Sequence, residues 1–115
     1  MFVTLSVAAM VSMAAYSDTA LDQVRTAYGN CIIENTISHL GQKTAENDFA
    51  EAMKSVCQDE QKAFQAAVIA SEKAEGASAK EAAEIAQEEV DMMIEDSVLG
   101  YAEHLEGETL PVKEG

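Results

Sequence analysis

Tryptophan is absent from this chain of 115 residues, and there are only three phenylalanines, three tyrosines, two cysteines, two histidines and one proline. Basic residues are scarce as well: 7 Lys and Arg stand against 21 Asp and Glu, for a formal net charge of -14. Each shortage excludes something. A surface so negative repels phosphate backbones and anionic lipid, so no nucleic-acid partner is expected. Two cysteines cannot fill a four-ligand zinc site or a twin C-x9-C framework, and no C-x-x-C redox pair occurs. No apolar run reaches the ~20 residues that a transmembrane helix needs. G-x-S-x-G, P-loop and H-E-x-x-H motifs are all missing, so no enzyme and no cofactor is expected. The lone proline, Pro111, leaves everything before it free to be helical.

What remains is rich in Ala, Glu, Gln, Lys and Met, all good helix formers, and 48% of it is apolar, enough for a core despite the charge. The length allows one domain. No strand-like alternation and no internal repeat stands out. The expected fold is all-α: an antiparallel helical hairpin with one disulfide plus a third packing helix, a three-helix bundle.

Residues 1–17, "MFVTLSVAAMVSMAAYS", carry no charged side chain. They read as a secretory signal peptide, with small residues placed for cleavage after Ala14 or Ser17. The competing reading is an apolar N-terminal helix of the domain. Residues 18–106 form the expected helical domain and 107–115 an irregular tail.

Within the domain, Ser17, Asp18 or Thr19 can cap a first helix whose apolar face carries Leu21, Val24, Tyr28, Cys31, Ile32 and Asn35, with Gly41 as its left-handed stop. Gly29 sits mid-helix, where it would permit close approach of a neighbour. A second helix is expected from about Thr44 to Gly76, with Phe49, Met53, Val56, Cys57, Phe64, Ala67 and Val68 on one stripe. Ser78 and Glu81 form a capping box that starts a third helix, which ends before Gly107.

The cysteines have their mean position at residue 44, where the first turn is expected. In an antiparallel hairpin, residues equidistant from the turn face each other, and both cysteines lie on apolar stripes. Cys31 and Cys57 are therefore expected to be bonded to each other; two buried, reduced thiols are the alternative. A disulfide together with a signal peptide implies an oxidising, periplasmic or extracellular compartment.

Two further groups are candidates. Glu81, Glu84, Glu88, Asp91 and Glu95 advance by threes and fours, forming an acidic face opposite Ala82, Ala86, Val90 and Met93. That face is solvated or meets a basic partner; a straight helix cannot wrap a calcium ion. Like charges one turn apart are expected to raise these carboxylate pKa values, so that acid would hold or increase stability. His39 and His104 close the first and third helices at one end of an up-down-up bundle, beside Glu103 and Glu106. They are candidate metal ligands, or helix-end cations favoured by the macrodipole.

"YGNC" (Tyr28–Cys31) and "VCQDEQKAF" (Val56–Phe64) resemble small exported helical proteins of Gram-negative bacteria, of alphaproteobacterial type, over roughly residues 28–68. The resemblance implies export and no assigned activity. A cysteine followed by a charged amphipathic helix is also similar to the small periplasmic acid-stress chaperones, although here the termini are not lysine-rich. The expected function is accordingly a non-enzymatic periplasmic structural or protein-interaction module. A pH-responsive holdase is the second reading and a metal-binding protein or enzyme the third. Another protein is the expected partner, with no membrane contact once the signal is removed and the oligomeric state left open.

Overall fold

A computed structural model describes residues 7–114 of the chain, with side chains from residue 19 onward. The described residues form four α-helices and no strand: α1 (Val7–Gln42), α2 (Glu46–Met53), α3 (Gln58–Ala74) and α4 (Ala79–Gly107). The all-α bundle expected from the sequence is present, with four helices in place of three. The expected signal peptide lies outside the described residues over 1–6, and over 7–17 only its helical backbone is described. Ser17, Asp18 and Thr19 fall inside α1 instead of capping it. No described helix is long and apolar enough to cross a membrane.

The extra helix comes from a break in the expected second helix. α2 tightens as it ends: the N–H groups of Lys54 and Ser55 donate three residues back, to Glu51 and Ala52. Cys57 then takes a left-handed conformation at φ 58° and becomes the N-cap of α3. That residue type has no intrinsic preference for the conformation. The reorientation sends α2 onto α4 and returns α3 to pack against both α1 and α4.

Three helices end alike. In each, the N–H of one residue reaches the carbonyl five positions back: Thr44 to His39, Ala77 to Glu72 and Thr109 to His104. This is the Schellman arrangement, which satisfies orphan carbonyls and requires a left-handed residue one position before the donor. At α3 that residue is Gly76, as expected, at φ 106°. At α1 it is Lys43 and at α4 it is Glu108, each at φ 55°. Gly41 and Gly107 are within their helices, two residues and one residue short of the turn that needed them.

The core runs the length of the bundle. Tyr28 and Ile32 of α1 meet Phe64 and Val68 of α3 and Ala86 and Val90 of α4, all buried. At the far end Leu40, Phe49, Met53 and Tyr101 close it. Phe49 stacks on Tyr101 with ring centres 4.0 Å apart and planes 9° apart. The Tyr101 hydroxyl lies within hydrogen-bond reach of two carbonyls of the α1–α2 turn, those of His39 and Thr44, and so ties α4 to that turn. Ala82 and Ala86 have no exposed surface to speak of, which is how α4 approaches its neighbours closely.

Candidate functional site

Cys31 and Cys57 form a disulfide with a Cα–Cα separation of 6.1 Å, joining the middle of α1 to the start of α3. The bond is half-buried. The Asn35 side-chain amide donates to the Cys31 carbonyl at 2.9 Å and lies 3.6 Å from the Cys57 sulfur, covering one side. Among the described residues, the one group of His, Cys, Asp and Glu side chains close enough to share an ion is Cys31, Cys57 and Glu60. With the two sulfurs bonded to each other, neither is the thiolate that a metal takes.

The candidate histidines do not join in a ligand group. His39 Nδ1 is 2.9 Å from Thr44 Oγ1, and its ring meets Phe49 edge-on at 5.5 Å. His104 Nδ1 is 2.8 Å from Thr109 Oγ1. Both pairs occupy the positions of the Schellman turn where two apolar side chains usually touch. "HLGQKT" (39–44) and "HLEGET" (104–109) are thus one capping device used twice, a short repeat that the sequence reading missed. Its signal was there, in the shared His–Leu and the threonine five residues after each histidine.

On α4, Glu81, Glu84, Glu88, Asp91 and Glu95 are all exposed. None of the described ion pairs involves them. Asp91 instead accepts from Gln87, which accepts from Gln65 of α3. Glu81 corrects the expected pKa pattern. Its carboxylate accepts from the Ser78 backbone N–H at 3.1 Å, while the Ser78 hydroxyl accepts from the Glu81 N–H at 3.1 Å. The backbone bond first, and then the Ser78 side chain, hold its pKa below the ordinary carboxylate value. A lowered folded pKa means stability present above the unfolded value and lost as pH falls through the folded one, so this group works against acid stability.

A second polar feature lies in the core. The Tyr28 hydroxyl is buried and has no hydrogen-bond partner. Burial pushes its pKa above 10.0; the nearby Gln61 side chain opposes the shift without hydrogen-bonding geometry, and the Asp91 charge adds to it.

The tail is where the sequence reading falls shortest. Residues 108–114 have no regular secondary structure, yet they fold back along α1 and α4. The Asn30 amide clamps the main chain of Glu114 from both sides, donating to its carbonyl at 3.0 Å and accepting from its N–H at 2.9 Å. The Lys113 ammonium pairs with Glu34, one turn further along α1. Under the tail lie two open cavities. One, of about 330 Å³, is bordered by Gly29, Ile33, Met92, Met93, Asp96 and Val112. The other, of about 760 Å³, is bordered by Leu40, Leu105 and Leu110 among others. The structure shows no need for a glycine at position 29: a Cβ there would find Met93 Cε at 3.8 Å, an ordinary contact.

No family model, curated protein or solved structure matches this chain.

Proposed function

We propose that the protein is an exported, non-enzymatic structural or protein-interaction module of the periplasm. The observation that carries this reading is the Cys31–Cys57 disulfide, because such bonds form and persist chiefly in oxidising compartments. The uncharged leader, residues 1–17, agrees with it. The histidines at the helix ends are occupied with capping, and the five carboxylates of the acidic face of α4 are exposed to solvent, available to a basic protein surface. Affinity purification of the tagged, oxidised protein from periplasmic extract, followed by crosslinking, tests the reading. A specific partner retained at moderate salt and lost on neutralising Glu84, Glu88 and Glu95 supports it. Residence of the untagged protein in the cytoplasm with both thiols free refutes it.

A pH-responsive holdase is favoured by one observation. The Glu81 capping box loses its carboxylate in acid, which loosens the start of α4 beside the buried Ala82 and Ala86. Light scattering of a denaturing client protein at neutral pH and in acid below the ordinary carboxylate range, where Glu81 with its lowered pKa takes up a proton, separates the two readings. Suppression of aggregation confined to acid promotes the holdase; its absence at both values leaves the passive module.

A further inference from the structure

The C-terminal tail is held by groups that would hold any extended peptide of similar chemistry. Asn30 bonds only to main-chain atoms of Glu114, so it reads backbone and not side chain. This is the hydrogen-bonding half of strand-like peptide recognition; side-chain pockets supply the other half. Those pockets are present and unfilled. Val112 borders the 330 Å³ cavity yet remains 85% exposed, and Leu110 borders the 760 Å³ cavity yet remains 60% exposed. The tail covers the cavities without filling them. Met92 and Leu99, seven residues apart on α4, leave further apolar surface open, at 59% and 65% exposure. Gly100, on the same helical face as Met93 and His104, has nothing within 4 Å of the position of an added Cβ, so there is room above it.

We propose that the groove between α1 and α4 is a docking site for an extended, lysine-bearing segment of a partner protein, and that the tail is its resident competitor. The register follows from the tail itself. Asn30 takes both main-chain groups of one residue, Glu34 takes a lysine at the residue before it, and apolar side chains one and three positions before that lysine enter the two cavities. The charge fits this occupant. Asp96 borders the first cavity without an ion-pair partner among the described residues, Arg25 and Glu89 at its rim pair with each other at 3.9 Å, Glu34 on the next turn of α1 from Asn30 already takes a lysine, and the chain as a whole carries -14, so a cationic segment is favoured over an acidic one. The tail's own hold rests on exposed groups: the Lys113 and Glu34 side chains are 49% and 59% exposed, a setting in which an ion pair contributes little. Its advantage is its tether, which keeps it at high local concentration.

The proposal rests on the interaction-module reading and deepens it by naming the partner's chemistry. The test uses the full oxidised chain and a fluorescent peptide of sequence TLPVKEG, read by anisotropy at low salt. Lys113→Glu weakens the resident tail, so the free peptide should bind this variant about threefold to tenfold more tightly than wild type. Adding Asn30→Ala should cost about tenfold or more. A peptide with its lysine replaced by glutamate should fail on Lys113→Glu and recover on a chain carrying Glu34→Lys. Circular dichroism confirms that each variant is folded; should Asn30→Ala not fold, the charge swap at Glu34 decides alone. The proposal is overturned by no saturable binding to Lys113→Glu, by indifference to the peptide's lysine, or by a tail-exchanged dimer in sedimentation, which would make a second copy the occupant. The assay is independent of compartment. Failure here leaves the exported-module reading standing, and a cytoplasmic, reduced protein would refute that reading without touching this one.

Discussion

Replacing both Cys31 and Cys57 by alanine removes a crosslink that closes a loop of 26 residues. In the chain-entropy account a loop of this size restricts the unfolded chain by about 3.5 kcal/mol at 25 °C. Cys57 is held left-handed at φ 58°, where a side chain costs about 1 kcal/mol relative to glycine, and alanine keeps that cost. For a domain of this size each kcal/mol moves the melting temperature by roughly 4–8 °C. The Cys31→Ala, Cys57→Ala chain should therefore melt roughly 15–25 °C below wild type by circular dichroism. A second variant separates crosslink from conformation. Cys31→Ala with Cys57→Gly lacks the same bond but suits the left-handed turn, and it should melt about 4–8 °C above the double alanine. A double alanine melting within a few degrees of wild type would refute the staple. Two double variants that melt together would refute the claim that the turn at residue 57 persists without the bond.

Two tyrosines make opposite predictions for the same substitution. Tyr28→Phe removes a buried hydroxyl that has no partner and should be neutral or stabilising by up to about 1 kcal/mol, whereas Tyr101→Phe strips the carbonyls of His39 and Thr44 of a donor and should destabilise by about 1 kcal/mol; urea melts compare them. Lys43→Gly places glycine at the left-handed position that ends α1 and should stabilise by about 1 kcal/mol, measured the same way. Ser78→Ala should destabilise by about 1 kcal/mol at neutral pH and by less in acid, because the lowered pKa of Glu81 means that its part of the capping box is already fading as pH falls; melts at several pH values show whether the gap closes. The raised pKa of Tyr28 keeps protons on the native state, so its contribution is complete below about pH 10 and is lost as pH rises through the folded value; ultraviolet titration should show a late-ionising component that Tyr28→Phe removes.

Periodicity made the helices legible. The stripe from Phe49 to Val68 supplied five buried residues, and Ala82, Ala86 and Val90 are buried as their spacing requires. The same stripe hid the break at Cys57, because a left-handed turn at a cysteine leaves no trace in apolar spacing and the helix resumes almost in phase. Helix ends were misplaced by a residue or two because the nearby glycines, Gly41 and Gly107, suggested stops that Lys43 and Glu108 in fact make. The disulfide was legible from symmetry about the turn together with the apolar stripes that carry both cysteines. The tail clamp was not: Asn30 and Glu114 are 84 residues apart, and their contact depends on α4 ending level with α1, which no local pattern encodes. The acid response was misjudged at Glu81 because like-charge repulsion was weighed and the hydrogen bond of the capping box, a closer and stronger effect, was not.

The central claim, a disulfide-bonded module exported to an oxidising compartment, is tested most directly by intact-mass analysis after rapid alkylation, on protein fractionated from cells that express the full chain. The account predicts periplasmic protein that takes up no alkylating group until it is reduced, then two, and that begins at Ala15 or Asp18. Unreduced protein that takes up two groups, retains Met1 and stays in the cytoplasmic fraction would contradict it.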